Sequence, residues 1–202
     1  MDWRFELRRQ WFLQVRLPRY LALIRPGDVV IDAGAHIGRV SVLFAERGAQ
    51  VLAFEPHPHA FAALSLTSRD QPNIRPINKA VADGNGTAPL YFHRRGRGLA
   101  WSESASLMRQ KRNVDPDQFV EVETVRLADV IVDTGHVRFL KMDIEGAEYA
   151  VLEDLIDTGA HANVHMIAVE THERNPALLP AHRSLTARIK RERIRNIDLK
   201  WI

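Results

Sequence analysis

From residue 27 onward the chain alternates short apolar runs with segments whose apolar positions recur every three or four residues. The runs at 29–31, 51–54, 74–78, 137–141, 166–169 and 197–201 predict strands. The periodic segments at 37–47, 58–69, 147–157 and 182–193 predict helices. Near-continuous apolar strands separated by helices predict an α/β fold, a mostly parallel sheet with helices on both faces. The rhythm breaks at 84–125, where two alternating stretches, 88–93 and 119–125, predict an inserted antiparallel β-hairpin. Some 25 polar, Arg- and Ser-rich residues separate them, a length that in a compact domain means a lid, a binding loop or disorder.

Before this pattern, Trp3, Leu7, Trp11 and Val15 recur at helical spacing, so 3–16 is predicted as an amphipathic helix. Pro18 is predicted to interrupt it, with a second short helix over 19–24 and a break at Pro26-Gly27. The domain reading is therefore a helical prelude at 1–26 and one ligand-binding domain at 27–202, with its insertion at 84–125.

Composition narrows the chemistry. At 202 residues, 46% hydrophobic and 26% charged, the chain has the make-up of one globular domain. The absence of cysteine excludes disulfides, thiolate metal sites and cysteine nucleophiles. No stretch approaches the roughly 18 apolar residues of a membrane span and no signal-peptide core is visible, so a cytoplasmic protein is expected. A net charge of +3 neither requires nucleic acid nor forbids an acidic substrate. The cations of 93–112, among them Arg94, Arg95, Arg97, Arg109, Lys111 and Arg112, either steer an acidic group or form a solvated loop.

Chemistry concentrates where strands end. VVIDAGAHIG (29–38) is a strand running into a glycine turn and a helix, with Asp32 ahead of Gly34 and Gly38. Such a turn cradles a nucleotide. In the dinucleotide pattern an acid here would repel the pyrophosphate, whereas S-adenosylmethionine (SAM) presents a sulfonium and an ammonium that a carboxylate attracts. Glu55 ends the next strand 23 residues after Asp32, close to the spacing of about 20 at which an acid grips a ribose diol. Asp143 and Glu145 sit two apart at a third strand tip, and Glu148 follows in the first helical turn, where the helix dipole favours an acid. Glu170 and His172 share a face at a fourth tip. His172 is a general base, a metal ligand or a structural histidine on this reading.

Those segments, with Glu55-Pro56, INKAVAD, SASL (104–107) and above all FLKMDIEGAEYAVL, resemble the FkbM-type SAM-dependent methyltransferases over about Gly27 to His172. The resemblance implies a Rossmann-like class I methyltransferase fold and O-methylation of a hydroxyl on a sugar, glycan or secondary metabolite. It implies a cofactor site at Asp32, Gly34, Ala35, His36, Gly38, Glu55, Pro56 and Asp143, with the adenine against Asp83 or against Ala80 and Val81. The reaction site would lie at Asp143, Glu145 and His172, ranked in that order as candidate bases. No metal is required by this reading, although Asp143, Glu145 and Glu170 offer an oxygen-ligand alternative for magnesium. Class I methyltransferases commonly end in an antiparallel hairpin, and only one C-terminal strand is readable here. The last strand pair is therefore expected to be truncated, or completed by a second chain in an oligomer. Alternatives are methylation of RNA or protein, with RNA disfavoured by the lack of stacking aromatics near the tips, and a non-catalytic SAM-binding protein.

Overall fold

The computed structural model describes residues 10–173 and 175–201. Six strands form the central sheet: β1 (Val29–Ala33), β2 (Gln50–Phe54), β3 (Ile74–Ile77), β7 (Val137–Met142), β8 (Val164–Val169) and β9 (Ile197–Asp198). Their order is β3-β2-β1-β7-β8-β9, and every pairing is parallel. All six predicted strands are present. Parallel strands need long crossovers, and helices supply them.

Alternate side chains of each strand enter opposite cores. Ile31, Leu140 and Ile167 join one cluster with α4 (Leu127–Thr134), α5 (Glu148–Asp157) and α6 (Leu179–Arg191). Val30, Phe139 and Ala168 join the other with α2 (Arg39–Ala45) and α3 (Pro58–Thr67). Both faces are thus buried, which is why the strands read as continuous apolar runs. Helix α4 was not expected: LADVIVDT is rich in β-branched residues, and only its packing on the sheet decides for helix.

At the N-terminus the predicted helix lies partly outside the described residues, Trp3 and Leu7 included. From Trp11 the chain runs through one π-helical turn (Phe12–Arg16) directly into α1 (Leu17–Leu21). The interruption expected at Pro18 does not occur, because the widened turn ends there and the first turn of α1 needs no donor from Pro18. Phe12 meets Trp201 edge-on at a ring separation of 4.8 Å and Tyr20 stacks on it at 5.3 Å, so the N-terminal turns and the segment after β9 share one aromatic core.

The insertion forms a second sheet, β4 (Ala80–Ala82), β6 (Val114–Arg126) and β5 (Gly86–His93) in that order. Strands β5 and β6 pair antiparallel as predicted, while β4, parallel to β6, was not foreseen. The segment between β5 and β6, for which a lid was one expectation, folds back onto β5. It makes a 3-10 turn (Leu99–Ser104), pairs Ser106 with Tyr91, and stacks Trp101 on His93 at 5.0 Å. At the C-terminal edge β9 pairs only with β8, and no antiparallel partner exists among the described residues. No described helix is long and apolar enough to cross a membrane.

Candidate active site

The carboxyl ends of β1, β2 and β7 meet at the turn after β1. Gly34 has φ +79°, and a Cβ there would lie 1.8 Å from the Asp143 carbonyl oxygen, so only glycine lets the two tips touch. His36, at φ +51°, points its backbone N–H to Glu55 Oε2 at 2.8 Å. His57 N–H donates to Glu55 Oε1 at 2.8 Å. Burial pushes the Glu55 carboxyl up to about 7 against these two hydrogen bonds. Each carboxylate oxygen has accepting capacity left for one further donor.

Glu55 lies in a narrow cavity of about 90 Å³. Gly34, His36, Pro56 and Ala80 line it, as do Asp143 and Glu145 from β7, with Val81 and Leu90 as apolar wall. Ser102, Glu103 and Ala105 to Leu107 of the lid form its cover. The other residues proposed for the cofactor fall elsewhere. Asp32 and Ala35 are buried beneath the cavity, Gly38 begins α2 at φ +86°, and Asp83 is exposed beyond β4.

Asp32 does not stand alone as the sequence suggested. Its Oδ2 accepts the Ser41 hydroxyl at 2.7 Å, and its Oδ1 lies 3.3 Å from Lys141 Nζ. Lys141, 5% exposed in its side chain, also donates to Gly34 O at 2.6 Å and lies 3.9 Å from Asp143 Oδ2. Burial pulls the lysine pKa down, but Asp32 and Asp143 outweigh it and hold it above the ordinary value. This lysine lies within the FLKMDIEGAEYAVL block, but a lone cation in an apolar strand does not by itself reveal which acids it meets.

The turn after β7 is built by Glu148. Its buried carboxylate accepts Ile144 N–H at 3.0 Å and Gly146 N–H at 2.8 Å, holding Glu145 at φ +60°. The helix-dipole reading of Glu148 thus covers only part of what it does. His172 lies between two acids, Nε2 3.2 Å from Glu145 Oε2 and Nδ1 3.2 Å from Glu148 Oε1. Burial pulls its pKa down, yet the two carboxylates prevail and push it up to about 11. Burial pushes Glu145 up, but His172 and Lys111, which forms an ion pair with it, hold it below the usual range. Asp143 is raised to about 6 by burial and by Glu145, with Lys141 opposing. Glu170 is raised to about 8 by burial and by Asp143.

Asp143, Glu170 and His172 each bring one potential ligand atom to within 4.8 Å of the others. A His-carboxylate set of this kind suits a transition metal more than magnesium. Against burial, Glu145 and Glu148 raise the pKa of its imidazole, so a metal would bind there only by displacing a ring proton.

Beyond this cluster opens a second, larger cavity of about 620 Å³. Glu170, Thr171 and His172 line it together with Lys111, Arg112, Lys200 and Trp11. The tips of β7 and β8 therefore separate two spaces, one beside the glycine turn and one beside the N- and C-terminal segments.

A parallel sheet with a glycine turn after its first strand and carboxylates at the adjoining tips defines a Rossmann-like fold of the methyltransferase class. The model of the methyltransferase FkbM domain matches residues 32–193, and the chain belongs to that family. It is 32% identical over 182 residues to the 31-O-demethyl-FK506 methyltransferase FkbM of Streptomyces tacrolimicus, covering 77% of this chain and 69% of that protein. It is 25% identical over 145 residues to methyltransferase 1 of Beauveria bassiana (strain ARSEF 2860), covering 63% of this chain and 58% of the relative. A solved structure of the Burkholderia thailandensis 1,6-didemethyltoxoflavin-N1-methyltransferase, with S-adenosylhomocysteine bound, aligns over 66% of this chain and 72% of its own. At 15% identity and a TM-score of 0.25 that overlay is too loose to argue from. The chain is a methyltransferase of the FkbM family.

Proposed function

We propose that this methyltransferase uses SAM and transfers the methyl group to a hydroxyl of a small molecule or glycan. The observation that carries the reading is the approach of two cavities: Asp143 lines the narrow one, and its carboxylate comes within 4.8 Å of Glu170 and His172, which line the larger. SAM fits the narrow cavity by chemistry. A ribose diol matches the spare acceptors of Glu55, an adenine ring matches Pro56, Ala80, Val81 and Leu90, and the cationic end matches Asp143 and Glu145. When bound, SAM supplies an activated methyl group on a cationic sulfur.

The chain's own task is alignment and one proton. A hydroxyl acceptor must lose its proton as the new O–C bond forms. Asp143, raised only to about 6, is ionised at neutral pH and takes that proton on its carboxylate. Glu145 is occupied by Lys111 and His172, and His172 already carries its proton, so neither serves as the base. Their part is to fix the Asp143 turn. Lys141 stabilises the Asp143 charge in a partly buried place. The name of the Streptomyces relative, which acts on an O-demethyl compound, supports oxygen as the acceptor atom.

The test is calorimetry with SAM alongside a turnover assay for S-adenosylhomocysteine on a panel of hydroxylated acceptors. Asp143→Asn removes a charge that faces the cationic end, so it should weaken SAM binding while leaving it measurable. It should lower kcat by about 10²- to 10⁴-fold, the usual worth of a positioned base. Folded protein that shows no affinity for SAM defeats the reading; full activity in the Asp143→Asn variant removes the base.

A further inference from the structure

We propose that the larger cavity selects hydroxyl acceptors that also carry a carboxylate or phosphate, and that Arg112 and Lys200 grip that anionic group. The inference rests on the reading of this site as a methyl-transfer site.

Its volume, about 620 Å³, falls within the roughly 300–1,000 Å³ of ordinary small-molecule sites. The charges lining it are not equivalent. Arg16 is ion-paired with Asp198, and Lys111 with Glu145. Arg112 and Lys200 are exposed and have no carboxylate partner among the described residues. Of the lining acids, Glu170 has His172 close by, with potential ligand atoms within 4.8 Å of each other. Glu173 is the remaining carboxylate, and it accepts the Thr171 hydroxyl at 2.6 Å. His172 itself lies between Glu145 and Glu148. Two cations without an acidic partner among the described residues thus share the cavity with two acids that have neighbours of their own.

Both cations are offered from fixed backbone. Arg112 lies between Lys111, tied to Glu145, and Asn113, whose carbonyl accepts Arg94 N–H at 2.9 Å. Lys200 N–H donates to Asp198 Oδ1 at 3.1 Å. A guanidinium held in this way matches the two oxygens of a carboxylate or phosphate, and an ammonium adds a point charge beside it. Trp11, 52% exposed on the same cavity, offers a flat apolar face of the kind on which a sugar ring rests. An acceptor anchored at its anionic end leaves its hydroxyl towards Glu170 and Asp143.

The experiment compares D-glucose, D-glucuronate and D-glucose 6-phosphate, which share a ring and differ in charge. Binding is read by calorimetry on protein loaded with S-adenosylhomocysteine, and turnover by release of that product from SAM. Glucuronate or the phosphate is expected to exceed glucose in kcat/KM through KM, by roughly tenfold or more, as loss of a charge-assisted contact would give. The preference should shrink as salt rises towards about 0.15 M. Which acid leads tells carboxylate from phosphate. An R112Q/K200Q double variant should lose the ratio of acid to neutral sugar, with melting temperature and SAM affinity as controls for folding. Glucose performing as well as both acids overturns the inference, as does a double variant that keeps the ratio. So does failure of both acids to bind while SAM binds; absence of SAM binding would instead strike the parent reading.

Discussion

Asp32 and Asp143 end neighbouring strands and lie on either side of one lysine, yet they have different fates. Asp32 is fully buried, takes the Ser41 hydroxyl, and has the Lys141 ammonium 3.3 Å away. Asp143 keeps 28% of its side chain exposed and stands 3.9 Å from the same ammonium. Burying a carboxylate is costly unless a cation and hydrogen bonds answer it; at Asp32 the lysine ion pair and one hydrogen bond from Ser41 do so, while Oδ1 accepts no hydrogen bond. The charge at β1 is therefore already balanced inside the protein, and the charge offered to a ligand is that of β7. Acids counted along a sheet edge are not all acids presented to the solvent side of it.

The largest expected effect separates the two directly. Lys141→Met leaves Asp32 as an uncompensated buried charge and should cost about 3–5 kcal/mol of stability, read by chemical denaturation. Adding Asp32→Asn to that variant should return much of the loss, because the buried charge is gone. Adding Asp143→Asn instead should return little, since water already reaches that side chain. Equal rescue by the two would erase the distinction.

This contrast also marks what the sequence discloses. The strands, their parallel character and the antiparallel insertion follow from apolar runs and alternation, which are local; the strand order does not. Gly34 and Glu55 were legible because a tight turn and a strand-end acid each leave a fixed spacing. Lys141 was not, since its meaning depends on two carboxylates from different strands, one of them 109 positions away in a register only the fold supplies. The same holds for Ser102 and Lys111, lid residues whose partners His36 and Glu145 come from the central sheet. Asp83 was proposed because it follows the third strand; it is exposed and does not line the narrow cavity, whereas Ala80 and Val81 do.

A second effect concerns the group beside the open tip. His172 has its pKa raised to about 11 in the folded protein against an ordinary 6.5. Its stabilisation is complete below about 6.5 and is lost as pH climbs through the folded value. Glu55 and Glu170, raised to about 7 and about 8, also lose stability with rising pH, but their share is nearly complete by about pH 9. Between about pH 9 and 10, stability should fall by up to about 1.4 kcal/mol per pH unit, one proton's worth. His172→Gln should flatten that limb. An unchanged slope in the variant would show that the imidazolium is not what Glu145 and Glu148 hold, and the protected charge state of the β7 tip would need another source.

The smallest effect bears on the cover of that open tip. Ser102 Oγ donates its one proton to Leu99 O at 2.8 Å, so His36 Nε2, 2.8 Å away, must be the donor of the second bond. Burial first, then nearby cations, hold the His36 pKa down, consistent with a neutral ring protonated on Nε2. This bond ties the lid to the turn after β1 over a space of only about 90 Å³, well below an ordinary ligand cavity. A donor larger than that space can enter only if the latch parts. A ligand that binds only the open form has its affinity reduced by the scarcity of that form. Ser102→Ala removes a hydrogen bond worth about 1 kcal/mol from the closed form alone, so SAM should bind up to about fivefold more tightly and associate faster. Weaker binding by the variant would mean instead that the latch survives in the loaded protein, making the lid part of the donor site and leaving Asp143 enclosed on that side as thoroughly as Asp32.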